Sequence, residues 1–482
     1  MSACSGPSVF RTGGSGGGTG GTGGGIGAGN ATLSVIVKDA PPAGIGVVDY
    51  GDFIGNIALD PTTGPAVHLT QSTFSFDMTR LQSDTFYLGT FTVPAQQYRD
   101  IVFFTGDGTM AFVNGTGGTI IGSSALVSCS NPLCSLQPDD FLHPILNNGA
   151  FPLSIQANQN YLLVLDFKLD NAVTLSGTNV LQVNFTAANA LTPKLVGGGT
   201  NGTDVLEDFT GKVTAITGST VTVQSGTQGT LVATANSGTI FDNFSTTVCP
   251  SPQTFAACVK VGQTISIDAS VAADGTITLL EADLLDATAV DEIEGTIITT
   301  DSSTQTFFMS VTDKTIVSGN SNLTNSTPDG GLIKVALGAT PAFSVDTKGL
   351  SVPAGIISNF ASFSALGPGQ TVRIQPTNVT FVFTGLQVTT NNIVLRFSRF
   401  TGNVTINGGG PIFSVDAASL PSYLGGIGNA QIQVFPAQTR YDGVTDNTKI
   451  NSGDSVSFRA LFLPNTTPQF FAAKVRDQTQ LP

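Results

Sequence analysis

The sequence predicts an all-β chain: an N-terminal β-sandwich followed by repeated small β units. Apolar residues recur at every second position, as in Leu33, Val35 and Val37, Val221 and Val223, Ile265 and Ile267, Val372 and Ile374, and Val456 and Phe458. That spacing lines one face of a half-buried strand, and helical periodicity is almost absent. Threonine, valine, isoleucine and phenylalanine dominate these stretches, while glycine, asparagine and aspartate dominate the gaps, as short strands joined by tight turns require. Asn114-Gly115 and Asp274-Gly275 are the clearest hairpin turns.

Residues 1–30 hold Cys4 and a stretch of mostly Gly, Ser and Thr from Gly13 to Gly29, which reads as a flexible tether. Residues 31–195 read as the sandwich, with Leu162, Val164 and Phe167 in a late strand. A glycine-rich linker over 196–204 leads into units at 205–288, 289–398 and 399–482. The repeat is visible by subtraction. Phe209-Thr210-Gly211-Lys212-Val213 matches Phe400-Thr401-Gly402-Asn403-Val404, and Gly262 to Ile267 matches Gly453 to Phe458, both at an offset of 191. The same offset aligns Leu279 to Asp286 with Phe470 to Asp477. A middle copy starts at Ile293-Glu294-Gly295 and resumes at Gly369-Gln370-Thr371, its anchors 74 apart instead of 51, so it carries an insertion of 23 residues. Each unit is expected to open with a strand bent at its glycine, where a missing side chain permits a bulge or barrel corner. It closes with a turn feeding an alternating strand.

At 482 residues the chain is too long for one core. Charged residues make up 11% and the net charge is -14, which disfavours phosphate backbones as partners and argues against nucleic acid. The apolar runs are strand length, well short of the roughly 20 residues that span a bilayer. Of the five cysteines, Cys129 and Cys134 lie close in sequence, as do Cys249 and Cys258. Either they form two local disulfides, which persist in an oxidising compartment, or they are reduced thiols; spacing alone leaves both open.

The small-residue pair Ser2-Ala3 ahead of Cys4 resembles the end of a bacterial lipoprotein signal. That resemblance implies a lipidated Cys4 holding the chain to the outer membrane or cell surface. The openings at Gly211, Gly295 and Gly402, with the Gly-Gln/Asp-Thr/Ser-apolar blocks, resemble a small domain of unknown function, number 5666, common as tandem copies in exported bacterial proteins. The resemblance covers roughly residues 205 to 478 and implies three OB-like barrels of about five strands each. Ahead of them, Thr32-Leu33-Ser34-Val35 running into Lys38-Asp39-Ala40-Pro41, then Phe76 to Leu81 and Thr92 to Ile101, resemble an uncharacterised lipoprotein family, domain of unknown function 4382. That family usually shows glycine where Gln96 or Gln97 stands in this chain.

Two catalytic spellings fail on context. Gly13-Gly14-Ser15-Gly16-Gly17 and Gly18-Thr19-Gly20-Gly21-Thr22-Gly23 lie in low-complexity sequence, with no strand-turn-helix around them. His68 and His143 are the only histidines. His143 with Asp139 and Asp140 is the one weak metal candidate, set against a solvated turn. Asp291, Glu292 and Glu294 form the densest acidic cluster and read as a solvated strand edge carrying protective charges. With no catalytic set and no cofactor motif, the chain reads as a non-enzymatic, membrane-anchored envelope scaffold or adhesion protein. Its modules would be strung outward from the anchor, with envelope proteins or glycans as partners. The alternative is a secreted glycan-binding protein assisting polysaccharide attachment or breakdown.

Overall fold

The computed structural model describes residues 29–40, 46–70, 74–105, 108–113, 127–130, 133–136, 151–175, 181–183, 189–197, 203–226, 228–244, 249, 254–326, 330–382, 385–424, 427 and 430–479. The alternation read from the sequence becomes sheet faces: Leu33, Val35 and Val37 of strand Asn30–Ala40 all point into one core. That strand pairs in parallel with Asn160–Lys168 and antiparallel with Phe86–Pro94. A second sheet, centred on the 16-residue strand Gly46–Pro61, covers the other side of this core with Tyr50, Ile54, Ile57 and Leu59. The result is a β-sandwich. Strand Asn160–Lys168 is buried on both faces. Tyr161, Leu163, Leu165 and Phe167 enter the sandwich core, whereas Leu162 and Val164 pack against Ala273 of the next unit. The three residues expected in a late strand, Leu162, Val164 and Phe167, all lie on it, the first two on one face and Phe167 on the other, as alternation requires.

Three closed barrels follow among the described residues. In the first, strands Thr203–Thr217, Thr220–Gln224, Thr230–Asp242, Thr264–Ala272 and Ile277–Asp286 close in the order one-two-three-five-four, with three and five parallel. The second uses Glu292–Asp301, Thr306–Thr315, Leu332–Val345, Thr371–Val382 and the first part of Gly385–Asn407 in the same pairing. The third takes the remainder of Gly385–Asn407, then Ile412–Val415, Ala430–Val434, Ser455–Phe462 and Phe470–Asp477, again with the same closure. This five-strand Greek-key closure is OB-like. Closure removes sheet edges, so none of the three leaves an open ladder. The 23-residue strand Gly385–Asn407 serves two barrels, changing partner between Arg396 and Phe397.

The Gly-Gln/Asp blocks have one shared physical role. Gly262, Gly369 and Gly453 take φ of +94°, +86° and +94°, and the next residue's side chain accepts a hydrogen bond from the backbone three positions earlier: Gln263 from Lys260, Gln370 from Gly367 and Asp454 from Asn451. Each glycine N–H also donates to the first strand, to Val213, Ile297 and Val404, two residues past the opening glycine. At Gly262 a Cβ would meet nothing within 4 Å, so only backbone strain opposes a side chain there. Gly262→Ala is expected to cost about 1–2 kcal/mol, the price of a left-handed alanine, as measured by urea unfolding. At the opening glycines the obstacle is different: a Cβ on Gly211 would lie 2.3 Å from the Gln224 carbonyl oxygen and one on Gly295 2.2 Å from that of Ser310.

The largest share of the middle unit's insertion, 11 of its 23 residues, falls between its second and third strands, residues 316–331, whose described part carries the short helix Ser321–Ser326; the first barrel spans the same step with residues 225–229. The last repeat block is displaced. By ladder pairing, Asp268 faces Glu281 and Arg459 faces Lys474, so the fifth strands correspond at an offset of 193 instead of 191. The cause is a hairpin two residues longer, residues 463–469 in place of 272–276. An even shift preserves which side chains face inward, so the cores of both barrels keep their pattern.

Candidate functional site

Charge is scarce in this chain, yet much of it is inside. Among the described residues, seven of the 19 basic side chains, Arg80, Lys348, Arg373, Arg396, Arg459, Lys474 and Arg476, are buried. Most converge where the sandwich and all three barrels meet. The units are packed around this charged centre, which corrects the expectation of modules strung outward.

The acidic half comes from the first barrel. Between Leu206 and Phe209 the ladder to strand four slips, and Asp208 adopts φ +53°, a left-handed conformation that aspartate tolerates. The bulge lets Leu206 and Phe209 both reach the barrel core while Glu207 and Asp208, adjacent in sequence, both face outward into the ionic centre. Asp268, Glu281 and Asp283 extend this acidic face along strands four and five. The basic half comes from the third barrel, where Arg399, Arg459 and Lys474 are direct neighbours across the ladder, with Arg440 beside Lys474 on the short strand Arg440–Asp442. Like charges opposite one another repel, so neither face is favourable alone.

Joined, they neutralise. Asp208 takes hydrogen bonds from Arg399 Nη2 at 2.9 Å, Arg459 Nη1 at 3.0 Å and Lys348 Nζ at 2.8 Å. Lys348 also reaches Asp268 at 3.0 Å, and Arg440 Nη1 donates to Asp268 Oδ2 at 2.7 Å. Lys474 Nζ donates to Glu207 Oε2 at 2.6 Å and to the Ser83 carbonyl at 2.7 Å. From the second barrel, Arg396 binds Glu294 at 3.1 Å, Asp283 at 3.4 Å and Asp346. From the sandwich, Asp84 binds Arg399 at 2.6 Å, while Arg80 lies 3.6 Å from Asp313 and donates to the Asp208 carbonyl. Four cations of the third barrel match acids of the first: Arg459, Lys474 and Arg476 take the ladder positions of Asp268, Glu281 and Asp283, and Arg399 matches Asp208 by the offset of 191, Asp208 itself lying in the bulge. Matching positions with opposite signs make the two barrels complementary along the same strands.

The protonation states follow from this packing. Burial alone would push the Asp208 carboxyl up, but Arg459, Lys348, Arg396 and Arg399 hold it well below the usual range. Asp84 and Asp268 are likewise held down by their cations against the opposing effect of burial. Glu281, at the rim, goes the other way: burial, only partly offset by Lys348 and Arg440, pushes its carboxyl up to about 8. Burial also lowers the Lys474 ammonium, despite Glu207.

Space at the centre is small. Two adjoining clefts, lined by Arg80, Asp84, Glu207, Gln228 and their neighbours, measure about 20 Å³ each. That is room for a water, against the several hundred Å³ of an ordinary small-molecule site. The arrangement can therefore fasten and orient, and the cations it contains are already engaged by carboxylates or carbonyls.

Of the residues singled out in the sequence, Cys4, Asp139, Asp140 and His143 lie outside the described residues, as does the Asn114-Gly115 turn. Cys129 and Cys134 face each other across strands Val127–Ser130 and Leu133–Leu136, their side chains lying outside the described part. Cys249 and Cys258 form a disulfide in the first barrel, with Cα atoms 4.3 Å apart. Asp274-Gly275 is the expected hairpin turn, with Gly275 at φ +85°. The acidic cluster corrects its reading as a solvated edge. Glu292 and Glu294 are buried and bind Arg373 and Arg396, because the outward face of their strand is covered by neighbouring elements; only Asp291 sits at the surface, capping Val317 and Ser318. The ionic centre itself was missed. Its one legible signal was the opposite sign at repeat-equivalent positions, Asp208 against Arg399 and Asp268 against Arg459.

Fold and site together define an all-β protein in which a sandwich and three OB-like barrels share a buried ionic centre. No protein-family model, curated protein or solved structure matches the chain, and the family resemblances rest on the residues quoted for them.

Proposed function

We propose that this chain is a non-enzymatic scaffold of the bacterial cell envelope, lipidated at Cys4 and presenting its β units as one rigid body to envelope proteins or glycans. The observation that carries the reading is the ionic centre: charge that could have served solubility or chemistry is spent on fixing four units against one another, with clefts of about 20 Å³ beside it. Buried charge networks of this kind orient their partners more than they stabilise them. A scaffold needs that orientation, and the glycine-rich stretch from Gly13 to Gly29 supplies reach from an anchor. Stable anchoring follows if Cys4 carries several acyl chains, since one alone binds a bilayer only marginally.

Fractionation of the native cell tests the reading. The expected result is recovery with the membrane, metabolic labelling by a palmitate analogue, and release into the soluble exported fraction on Cys4→Ser. Recovery of the wild-type chain in the cytoplasm overturns it.

A further inference from the structure

The first and second barrels are joined by residues 287–291, and the two acids that flank this crossing meet. Asp286 ends the fifth strand of the first barrel and Glu292 begins the first strand of the second. Both are gripped by the same two side chains of strand Thr371–Val382. Arg373 Nη1 donates to Glu292 Oε1 at 2.6 Å and to Asp286 Oδ2 at 3.2 Å, and Gln375 Nε2 donates to Asp286 Oδ2 at 3.0 Å and Glu292 Oε1 at 3.4 Å. Glu292 Oε1 and Asp286 Oδ2 thus accept from the same two donor atoms, Arg373 Nη1 and Gln375 Nε2. Glu292 Oε2 is buried with no other partner, and so is Arg373 Nε.

One guanidinium faces two carboxyls, Glu292 buried and Asp286 half-buried. If both were ionised, the site would carry an uncompensated negative charge. Other charges point elsewhere: Asp291 caps Val317 and Ser318, Glu294 binds Arg396, and Lys314 on the adjacent strand donates to the Thr324 carbonyl. Across the ladder Glu292 faces the neutral Thr315. We propose that Glu292, held against Asp286 by Arg373 and Gln375, keeps its proton and forms a pH-operated clasp, which holds the 287–291 crossing closed in acidic and neutral surroundings and loosens it when the proton leaves in alkaline ones. Burial, opposed only in part by Arg373, raises the Glu292 carboxyl to about 8, which puts the transition just above neutrality. The device adds a controllable joint to the scaffold, and its test does not depend on where the protein resides.

Hydrogen exchange of the full chain from pH 6 to 9.5, corrected for the intrinsic pH dependence, reads the clasp directly. In the wild type, protection of peptides spanning 284–296 is expected to fall about tenfold further between pH 7 and 9 than that of the strand cores, which report global stability. Glu292→Gln, permanently uncharged and able to accept from Arg373, is expected to abolish that fall and keep the protection of the neutral-pH wild type. Asp286→Asn, which leaves Glu292 alone with Arg373, is expected to flatten the profile as well. An equal loss of protection in Glu292→Gln, or carbon NMR showing the Glu292 carboxyl ionising in the ordinary range near pH 4, overturns the proposal. Asp60→Asn, which removes only an exposed ion pair on the sandwich, serves as the control and is expected to leave this segment's profile unchanged.

Discussion

Replacing Asp208 with asparagine is expected to destabilise the protein by about 3–5 kcal/mol and to split a single melting transition into at least two. The substitution keeps the shape and the left-handed backbone at φ +53°, which asparagine accepts as readily as aspartate, so the effect isolates charge. What is lost is a carboxylate contacted by three cations from two barrels: Lys348 at 2.8 Å, Arg399 at 2.9 Å and Arg459 at 3.0 Å. These are left facing one another with Arg396, 3.6 Å away, in a setting where water cannot replace the missing charge. Because the four units meet at this point, relief comes most cheaply by parting them, which is why the melt divides. Differential scanning calorimetry checks the prediction. Asp60→Asn is the comparison, since its partner Arg99 is 58% exposed and such a pair is worth about 1 kcal/mol or less. If Asp208→Asn melts like Asp60→Asn, the ionic centre is not what couples the units.

The strands were legible in the sequence because their evidence is local. Val221 and Val223, Ile265 and Ile267, Val372 and Ile374, and Val456 and Phe458 all lie in barrel cores, as alternation requires. The Gly262 and Gly453 blocks were legible for the same reason: a positive φ and a side-chain cap are satisfied within four residues. What escaped depends on contacts between units. An outward charge on a strand, such as Asp268 or Arg459, has the same sequence signature whether water or another barrel covers it, so Glu292 and Glu294 were assigned to solvent. Leu162 and Val164 carried a hint, since an apolar residue on both faces of a strand implies cover on both sides. Nothing local told which unit supplied that cover. Even the displaced last block follows this rule: the extra pair of residues lies in the 463–469 hairpin, while the compared stretches keep their parity.

Stability is expected to rise as the medium is acidified from about pH 8 to pH 5, the reverse of what a salt-bridged protein usually suggests. The causes are Glu281 and Glu292, both raised to about 8 by burial, and Glu281 shows the sign. In the unfolded chain it titrates as an ordinary glutamate near pH 4.5, whereas in the fold burial carries it to about 8 despite Lys348 and Arg440. Between those values the folded form retains a proton that the unfolded form has released, so stability falls with rising pH. The contribution is complete below about pH 4.5 and is lost as pH climbs through 8. Asp84, Asp208 and Asp268 have the opposite sign, being held below their ordinary value by arginine and lysine, and their contribution is lost only as pH falls below about 4. The two limbs leave an optimum near pH 5, close to the isoelectric point of about 4.3. Urea unfolding at pH 4.5, 6, 7 and 8.5 is expected to show a decline on the order of 2–4 kcal/mol across that range. Glu281→Gln, which cannot ionise, is expected to recover much of the loss at pH 8.5 and to match the wild type at pH 4.5. A variant that instead weakens the protein at pH 8.5 would mean that Glu281 is an ionised partner of Arg440, and that the rim of the centre gains more from that pair than it loses by burying the charge.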